Sequence, residues 1–429
     1  MKSTRRYSYF SILIVAVFIF ILIRAPYENN TVDNSSHYFA KPLHRSFIAM
    51  RGRLFSKNKL DPMSLQQNSS LNAIKHKGIH ILAIGRTGSS FLGQIIAQHP
   101  QVFYMFEPGR ILDNQRKTPD QKIYKNPKNL VNYVDMIASI YHCRFDNMKS
   151  YLKAIMQLSF NSRLQEIPDL TEKNLCRPTR GVSRRKQNES LSTKCEPVSR
   201  ELTHKCQNKT FTVIKTIRIH NITNFTKLVN DDDVDFKILH LIRDPRGMIL
   251  SNLRAWHRDV IHAMNEEHRS LFDANDLPSE LYEYLNNWCK DWIENADFGY
   301  SKIPSSQYLS VRYEDISLSP IESATKIYAK LGLGALTSDI IEWINNSTSG
   351  YKGGSYALSR NSTLNAEKWR RSMTYELAER IQEMDNCGKF MDVFGYKKVK
   401  SPEELHDSSL SLIGKYSKSS FKARKNHKP

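Results

Sequence analysis

Short apolar runs alternate along most of the chain with polar segments that contain glycine or proline. The first run, Ile79–Ile84, ends at Gly85 and has the length and composition of a strand that is buried on both faces. Apolar residues at helical spacing follow over Ser90–His99, and Pro100 ends that helix. Val102–Phe106 is a second strand-like run. The pattern therefore predicts a strand, a loop, a helix and another strand in direct succession.

The same order of elements recurs toward the C-terminus. Further strands are predicted at Phe211–Ile217, Phe236–Ile242 and Tyr308–Val311. Helices are predicted over about 128–158, directly after the second of these strands, over about 279–297, and from Pro320 onward. Strand–loop–helix units in this order predict an α/β fold with a central parallel sheet.

The N-terminal region has a different pattern. Residues 7–23 form an apolar run that, at about 1.5 Å per helical residue, is just long enough to cross a thin bilayer. Basic residues in the segment 1–6 favour a cytoplasmic N-terminus and a lumenal remainder. Residues 24–77 show no sustained period and are interpreted as a stem.

A cleaved signal peptide is the alternative interpretation of this apolar run. The bulky Ile23 and the proline that follows Ala25 disfavour cleavage there, so we favour an uncleaved signal-anchor. Both interpretations send the rest of the chain into the secretory lumen. Sequons for N-glycosylation, somewhat more frequent than chance predicts, agree with that compartment; they begin at Asn29, Asn34, Asn68, Asn188, Asn208, Asn221, Asn224, Asn345, Asn346 and Asn361.

The net charge and the cysteine content exclude few classes of function. The net charge of +20 attracts anions of every kind, so it does not separate nucleic acid, anionic lipid, nucleotide and polyanionic glycan. Part of the excess lies in the segment 398–429, which is interpreted as a basic tail. The cysteines lack zinc-site spacing and are expected to form disulfides of undetermined pairing; they are Cys143, Cys176, Cys195, Cys206, Cys289 and Cys387.

The first chemical signal follows the strand Ile79–Ile84. A loop that leads from a buried strand into a helix presents backbone amides to an anion, and arginine and hydroxyl side chains add donors. The residues that offer these groups are Arg86, Thr87, Gly88, Ser89 and Ser90. The loop lacks the Walker lysine and the dinucleotide glycine spacing. A simple helix cap is the alternative.

The second signal repeats this arrangement at another strand end. Phe236–Ile242 runs directly into Arg243, Asp244, Pro245 and Arg246, and Ser251 lies about two turns into the following helix. The alternative is that Asp244 caps the helix and the arginines are surface residues. Two anion-binding loops at two strand ends suit a ligand with two separated phosphates.

These motifs resemble the carbohydrate sulfotransferase family, Golgi enzymes that sulfate the 6-hydroxyl of galactose, N-acetylglucosamine or N-acetylgalactosamine. The resemblance covers about 78–397 and implies a P-loop-like three-layer sandwich, the sulfotransferase fold. It implies that Arg86–Phe91, with Thr87 in place of the family's serine, binds the 5′-phosphosulfate of 3′-phosphoadenosine 5′-phosphosulfate (PAPS). It also implies that the 3′-phosphate is bound by Arg243, Arg246 and Ser251.

The resemblance extends to further short motifs in the same order. They are Phe106–Pro108, Ile214–Arg218, Val311–Asp315, Trp369–Arg370 and the closing Cys387 with Gly395–Tyr396. It implies a glycan or proteoglycan acceptor, a Golgi membrane protein of type II, and neither a metal nor a nucleic acid partner. A homodimer is left open.

Catalysis needs a base for the attacking hydroxyl and positive charge at the leaving phosphate. Glu107 is similar in its spacing from Arg86 to the base of the related tyrosylprotein sulfotransferases, which implies that Glu107 is the general base. A structural carboxylate paired with an arginine is the alternative. We expect Lys215 to stabilise the bridging oxygen, or else to be a plain surface lysine, and Arg86 to stabilise the leaving group. His240 is interpreted as a core residue.

Three other functions remain open at this point. A tyrosylprotein sulfotransferase would share the donor and the compartment but modify peptide tyrosine. A kinase is disfavoured because the Walker lysine and an evident magnesium carboxylate are missing. A non-catalytic, membrane-tethered glycan-binding protein would explain the charge without any chemistry.

Overall fold

A computed structural model describes residues 75–110, 126–148, 176–178, 195–197, 199–256, 279–350, 361–416 and 421. The predicted cytoplasmic tail, anchor and nearly all of the stem lie outside these residues. Among the helices that are described, none is both long and apolar enough to cross a membrane.

Five parallel strands form the central sheet in the order β2-β5-β1-β6-β7. Their bounds are β1 His76–Leu82, β2 Val102–Phe106, β5 Phe211–Thr216, β6 Val234–Ile242 and β7 Tyr308–Arg312. A separate antiparallel hairpin joins β3 Cys176–Pro178 to β4 Cys195–Pro197. The predicted α/β class with a central parallel sheet is confirmed.

Helices connect the strands and follow the last one. They are α1 Ser89–Ala97, α2 Pro127–Tyr141, α3 Ser199–Gln207, α4 Thr226–Val229, α5 Pro245–Trp256, α6 Ser279–Lys302, α7 Tyr313–Leu318, α8 Pro320–Leu331, α9 Ser338–Thr348, α10 Ser362–Glu367, α11 Tyr375–Glu383, α12 Asp385–Phe394 and α13 Pro402–His406. Short 3-10 turns lie at Asp146–Met148, Ile222–Phe225 and Arg370–Ser372.

Apolar cores pack on both faces of the sheet. Alternate residues of β1 and β6, such as Ile81 and Leu241, join one core with residues of α1, α8 and α9. On the other face Ile242 joins a core with residues of α5, α6, α11 and α12. The result is a helix–sheet–helix sandwich. The loops at the strand ends are available to form a site.

Two sequence-based boundaries can be compared with the structure. Within the helical region predicted over about 128–158, α2 ends at Tyr141, and Cys143 has a φ of 52°, which an α-helix does not accommodate; residues 149–158 lie outside the described residues. Part of the predicted basic tail is folded onto the domain: Leu405 and Leu412 are buried, and Tyr396 pairs with Ile413. Its apolar residues outweigh the local positive charge because they fill the core beside α11 and α12.

Among the cysteines whose side chains the structure describes, two disulfides join distant parts of the domain. Cys143 is bonded to Cys206, and Cys289 is bonded to Cys387, which ties α6 to α12. The sequence predicted disulfides but not this pairing.

Candidate active site

All five strands of the sheet are parallel, so their carboxyl ends lie along one edge, called here the carboxyl edge. The register places Leu82 beside Thr216, and Ile242 beside Arg312. Loops that leave β1, β2, β5, β6 and β7 at this edge bring residues from distant parts of the sequence together. In an open α/β sheet this is where ligands bind.

The loop from β1 to α1, residues 85–90, has an unusual backbone. Arg86 and Gly88 have φ values of 69° and 86°, and a Cβ at Gly88 would lie only 2.2 Å from the Tyr313 ring. Glycine is therefore required at residue 88 on both conformational and steric grounds. The α1 N-cap is Gly88, which offers no side-chain cap, so side-chain capping by this residue does not explain the loop.

Side chains of this loop have different roles. Thr87 is fully buried, and its hydroxyl donates to the carbonyl of Ile84 at 2.8 Å. Phe91 packs against the apolar core beneath α1. These two predicted donor ligands therefore hold the loop in place through their side chains. Arg86, Ser89 and Ser90 are left as the side chains that could face an anion, together with the first amides of α1.

The loop from β6 to α5 meets the first loop directly. Nη1 of Arg243 donates to the carbonyl of Arg86 at 2.5 Å, and Nε of Arg86 donates to Oγ of Ser251 at 3.1 Å. The Arg243 guanidinium lies over the ring of Tyr313 at 4.5 Å. Its Nε is buried and has no hydrogen-bond partner among the described residues. The structure thus brings Arg86, Arg243 and Ser251 together at one place.

Arg246, predicted as a donor ligand, is turned away from this place. Its side chain is 0% exposed, and it pairs with Asp244 at 2.7 Å. Gln382 and the carbonyl of Lys397 accept its other hydrogen bonds, and Trp369 lies against its guanidinium at 4.8 Å. The assignment of Arg246 to the nucleotide is therefore corrected: a guanidinium whose donors are used inside the protein serves the fold.

Asp244 has the capping role that was considered for it. Its Oδ1 accepts the amide of Arg246 at 2.9 Å, and Pro245 is the first residue of α5. Helix capping and anion binding are not exclusive here, because Asp244 caps the helix while Arg243 faces Arg86.

Glu107 lies between two cations at the end of β2. Oε1 contacts Nζ of Lys215, and Oε2 accepts from Nη1 of Arg218 at 2.8 Å. Glu107 has a φ of 41°, and its amide donates to the carbonyl of Lys215 at 2.8 Å. Burial by itself would raise the pKa of Glu107, but Lys215 and Arg218 together outweigh it and lower the pKa to about 2.

Lys215 is not a surface residue. It is 2% exposed, and its Nζ lies 4.4 Å from the centre of the Phe106 ring. Arg218 comes from the same segment, three residues after Lys215, and was named within a motif without a role. The lysine, the arginine and Glu107 form one buried charged cluster, called here the Glu107 cluster.

A second buried glutamate was missed by sequence reasoning. Glu314 follows β7; its Oε1 accepts the amide of Asp244 at 3.1 Å, and its Oε2 accepts the hydroxyl of Tyr396 at 2.8 Å. Burial, followed by the nearby Asp244 carboxylate, raises the pKa of Glu314 to about 7. Its position just after a strand was the available signal, but Glu314 was named only within the motif Val311–Asp315, without a role.

Two other features bear on the predicted chemistry. His240 is confirmed as a core residue: it is 0% exposed, and burial lowers its pKa to about 3. In the described part of the chain, groups of three metal-binding side chains occur only at the amino ends of the strands, and one of the two contains the bonded Cys143 and Cys206.

Comparison with known proteins identifies related sequences over most of the chain. A family model described as the sulfotransferase domain matches residues 77–395. Carbohydrate sulfotransferase 1 of Danio rerio is 30% identical over an alignment of 362 positions that covers 80% of this chain and 83% of that protein. Carbohydrate sulfotransferase 3 of Mus musculus is 26% identical over an alignment of 460 positions that covers 96% of this chain and 94% of that protein.

Similarity to solved structures is more distant. The sulfotransferase domain of the Synechococcus PCC 7002 olefin synthase superposes with a TM-score of 0.39 and 16% identity, over 77% of this chain and 99% of that one. Mouse sulfotransferase SULT7A1, solved in complex with PAP, superposes with a TM-score of 0.33 and 13% identity, over 74% of this chain and 88% of that one.

Proposed function

This chain belongs to the sulfotransferase domain family and is a sulfotransferase, and from that premise we propose that it transfers a sulfuryl group from PAPS to a sugar hydroxyl. The proposed acceptor is the 6-hydroxyl of galactose, N-acetylglucosamine or N-acetylgalactosamine in a glycan or proteoglycan. The relatives named carbohydrate sulfotransferases support this acceptor class over peptide tyrosine.

The observation that carries the proposal is the contact between the two loops at the carboxyl edge. Arg243 bonds to the backbone of Arg86 itself, so the two arginines are close enough to bind one small molecule. The buried Nε of Arg243, which has no partner among the residues the structure describes, fits an anion acceptor, because buried donors in proteins are nearly always satisfied. The left-handed loop at Gly88 and the α1 amides fit a second anion.

The residues divide between the two ends of the donor. Arg86, Ser89, Ser90 and the α1 amides would bind the 5′-phosphosulfate, and Arg243 with Ser251 would bind the 3′-phosphate. PAPS supplies the activated sulfuryl group. The protein contributes orientation and a fixed positive charge where the leaving phosphate gains negative charge.

Glu107 is proposed as the general base for the acceptor hydroxyl. It is ionised at any working pH, but a carboxylate with a pKa of about 2 accepts a proton poorly. The proposal therefore requires Lys215 to exchange Glu107 for the donor's oxygens, which leaves Glu107 with Arg218 and makes it more basic. Lys215 then stabilises the bridging oxygen of the donor.

Location and assembly are part of the same proposal. The apolar run 7–23 and the sequons support a type II Golgi membrane glycoprotein with a lumenal catalytic domain. The disulfides Cys143–Cys206 and Cys289–Cys387 are consistent with an oxidising compartment. A homodimer stays a prediction.

The direct test incubates the purified chain with radiolabelled PAPS and a panel of acceptors. The panel holds desulfated keratan and chondroitin, N-acetylglucosamine-terminated glycans and an acidic tyrosine peptide. We expect label on a glycan and none on the peptide. Label on the peptide alone would show that the acceptor is peptide tyrosine and not a sugar. Binding of the chain to heparin without any sulfuryl transfer would favour the non-catalytic glycan-binding function.

Arg86→Ala is the matched variant for this assay. Loss of the guanidinium removes charge stabilisation of the leaving phosphate, so we expect transfer to fall by at least about 100-fold. Circular dichroism and the thermal midpoint check that the variant is folded. Turnover close to that of the unaltered chain would remove Arg86 from the proposed mechanism.

A further inference from the structure

Tyr313, the first residue after β7, contacts both loops of the candidate site. Its ring packs against Gly88, where an added Cβ would lie 2.2 Å from the ring, and the guanidinium of Arg243 lies 4.5 Å above the ring centre. The Tyr313 hydroxyl accepts from Nδ2 of Asn365 at 2.8 Å. Tyr313 is 5% exposed. Gly88 holds its ring on one side, and Asn365 of α10 holds its hydroxyl.

Few described residues hold the Arg243 guanidinium by hydrogen bonds. Among them Arg243 donates one, to the carbonyl of Arg86, its Nε has no partner, and the Glu314 carboxyl acts on it by charge alone. Arg246 makes a complete contrast, since Asp244 and Gln382 hold that guanidinium with charged and neutral hydrogen bonds. For Arg243 the aromatic face is the principal surface against which the planar guanidinium can rest.

We propose that Tyr313 is a positioning residue for donor binding, which holds the Arg243 guanidinium in the plane where its free Nε meets the 3′-phosphate. This inference rests on the proposed function, because it takes the ligand of Arg243 to be the 3′-phosphate of PAPS. It adds a residue to which neither the motifs nor the relatives assign a role. Contact with Gly88 fixes where the ring stands, and the bond from Asn365 adds to this support.

The test measures binding of PAP, the product nucleotide, by isothermal titration calorimetry on the full chain. Tyr313→Leu keeps apolar volume but removes the ring face, and we expect it to weaken PAP about tenfold, in the range of a desolvated cation–π contact. Tyr313→Phe keeps the face and loses only the hydroxyl, so its affinity stays within about threefold of the unaltered chain. Equal losses in the two variants would overturn the proposal.

AMP, which lacks the 3′-phosphate, shows which end of the nucleotide is affected. Because Tyr313 acts on Arg243, the preference for PAP over AMP should fall about tenfold in Tyr313→Leu, while AMP affinity changes little. In transfer assays the same variant should raise KM for PAPS with little change in kcat. A parallel loss for PAP and AMP would show that the ring supports only the first loop.

A double-mutant cycle separates positioning from general stability. In an Arg243→Gln background, Tyr313→Leu should cost less than about twofold in PAP affinity, since its target is gone. If the loss of PAP affinity in the double variant equalled the product of the two single losses, Tyr313 would not act through Arg243. Tyr308→Leu is the matched control: this buried tyrosine lies at the other end of β7, and its loss should lower stability without changing the preference for PAP over AMP.

These outcomes are distinguishable from failure of the proposed function. If the unaltered chain binds no PAP, both the function and this inference are overturned. If it binds PAP and Tyr313→Leu binds PAP equally well, only the positioning role is lost. Should Tyr313→Leu fail to fold, Tyr313→Met carries the same comparison with an unbranched side chain.

Discussion

Glu107 and Glu314 are both buried at the carboxyl edge, and their surroundings shift them in opposite directions. Glu107 lies between Lys215 and Arg218, which hold its pKa at about 2. Glu314 accepts hydrogen bonds from a backbone amide and from Tyr396, and has the Asp244 carboxylate nearby; its pKa is about 7. Burial opposes ionisation at both positions, so the difference comes from the neighbours.

The comparison suggests different roles for the two glutamates. Two dedicated cations keep Glu107 charged although it is buried, which is costly for a purely structural group and is typical of functional sites. Glu314 instead holds the backbone of the Arg243 loop through the amide of Asp244, a task that a protonated carboxyl can share through its carbonyl oxygen. Under the proposed mechanism, Glu107 acts in the chemistry and Glu314 supports the loop that carries Arg243.

The largest expected effect comes from removing the charge of Glu107. Glu107→Gln should reduce transfer by about 10²- to 10⁴-fold, as for loss of a general base, with PAP affinity nearly unchanged. Glu314→Gln is the matched variant, and it should retain most activity near neutral pH because Gln can still accept from Asp244. Initial rates and PAP titration on both variants measure this difference. Similar activity losses in the two variants would erase the functional contrast between the two glutamates.

Stability should distinguish the same two residues by pH. The folded-state pKa of Glu314 is raised from 4.5 to about 7, so between these values the folded protein keeps a proton that the unfolded chain has lost. Its stabilising contribution is complete below about pH 4.5 and is lost as pH rises to about 7. The free energy of unfolding, relative to that of Glu314→Gln, should fall by on the order of 3 kcal/mol over this window.

Glu107 should give no such trend in that window. Its folded-state pKa is lowered, so it contributes stability above about pH 4.5 that is lost as pH falls toward 2. Denaturant titrations of the unaltered chain, Glu107→Gln and Glu314→Gln at pH 5, 6 and 7 make the comparison. A flat difference between the unaltered chain and Glu314→Gln would show that Glu314 is ionised throughout.

Local sequence patterns predicted much of the sheet and the positions of both loops of the candidate site. Strands such as Phe236–Ile242 are visible because a strand buried on both faces must be apolar over most of its length. The two loops can be recognised in the sequence because Gly88 and Pro245 mark turns that lead from a strand into a helix. These features depend on residues within one short segment, so one sequence is sufficient to find them.

Features that depend on distant neighbours were not predicted. Arg243 and Arg246 stand in the same motif, but only the fold places Gln382 and Lys397 against the second. The raised pKa of Glu314 likewise requires burial in the assembled fold and the Asp244 carboxylate from another segment. The burial of Leu405 in the segment 398–429 was not predicted either, because the charge of this segment is a local feature, whereas the core that Leu405 fills is assembled from remote helices.

The smallest expected effect comes from Arg218→Gln, which tests most directly why Glu107 differs from Glu314. Arg218 is one of the two cations that lower the pKa of Glu107, so its loss should raise that pKa and move the acid limb of the kcat/KM profile to higher pH. Activity near neutral pH should change only a few-fold, because Glu107 stays ionised there. Arg380→Gln, a surface arginine stacked on Tyr282, controls for loss of a positive charge elsewhere. An acid limb that does not move in Arg218→Gln would mean that Glu107 is not the group titrating in the reaction, and its two cations would then be explained by structure alone.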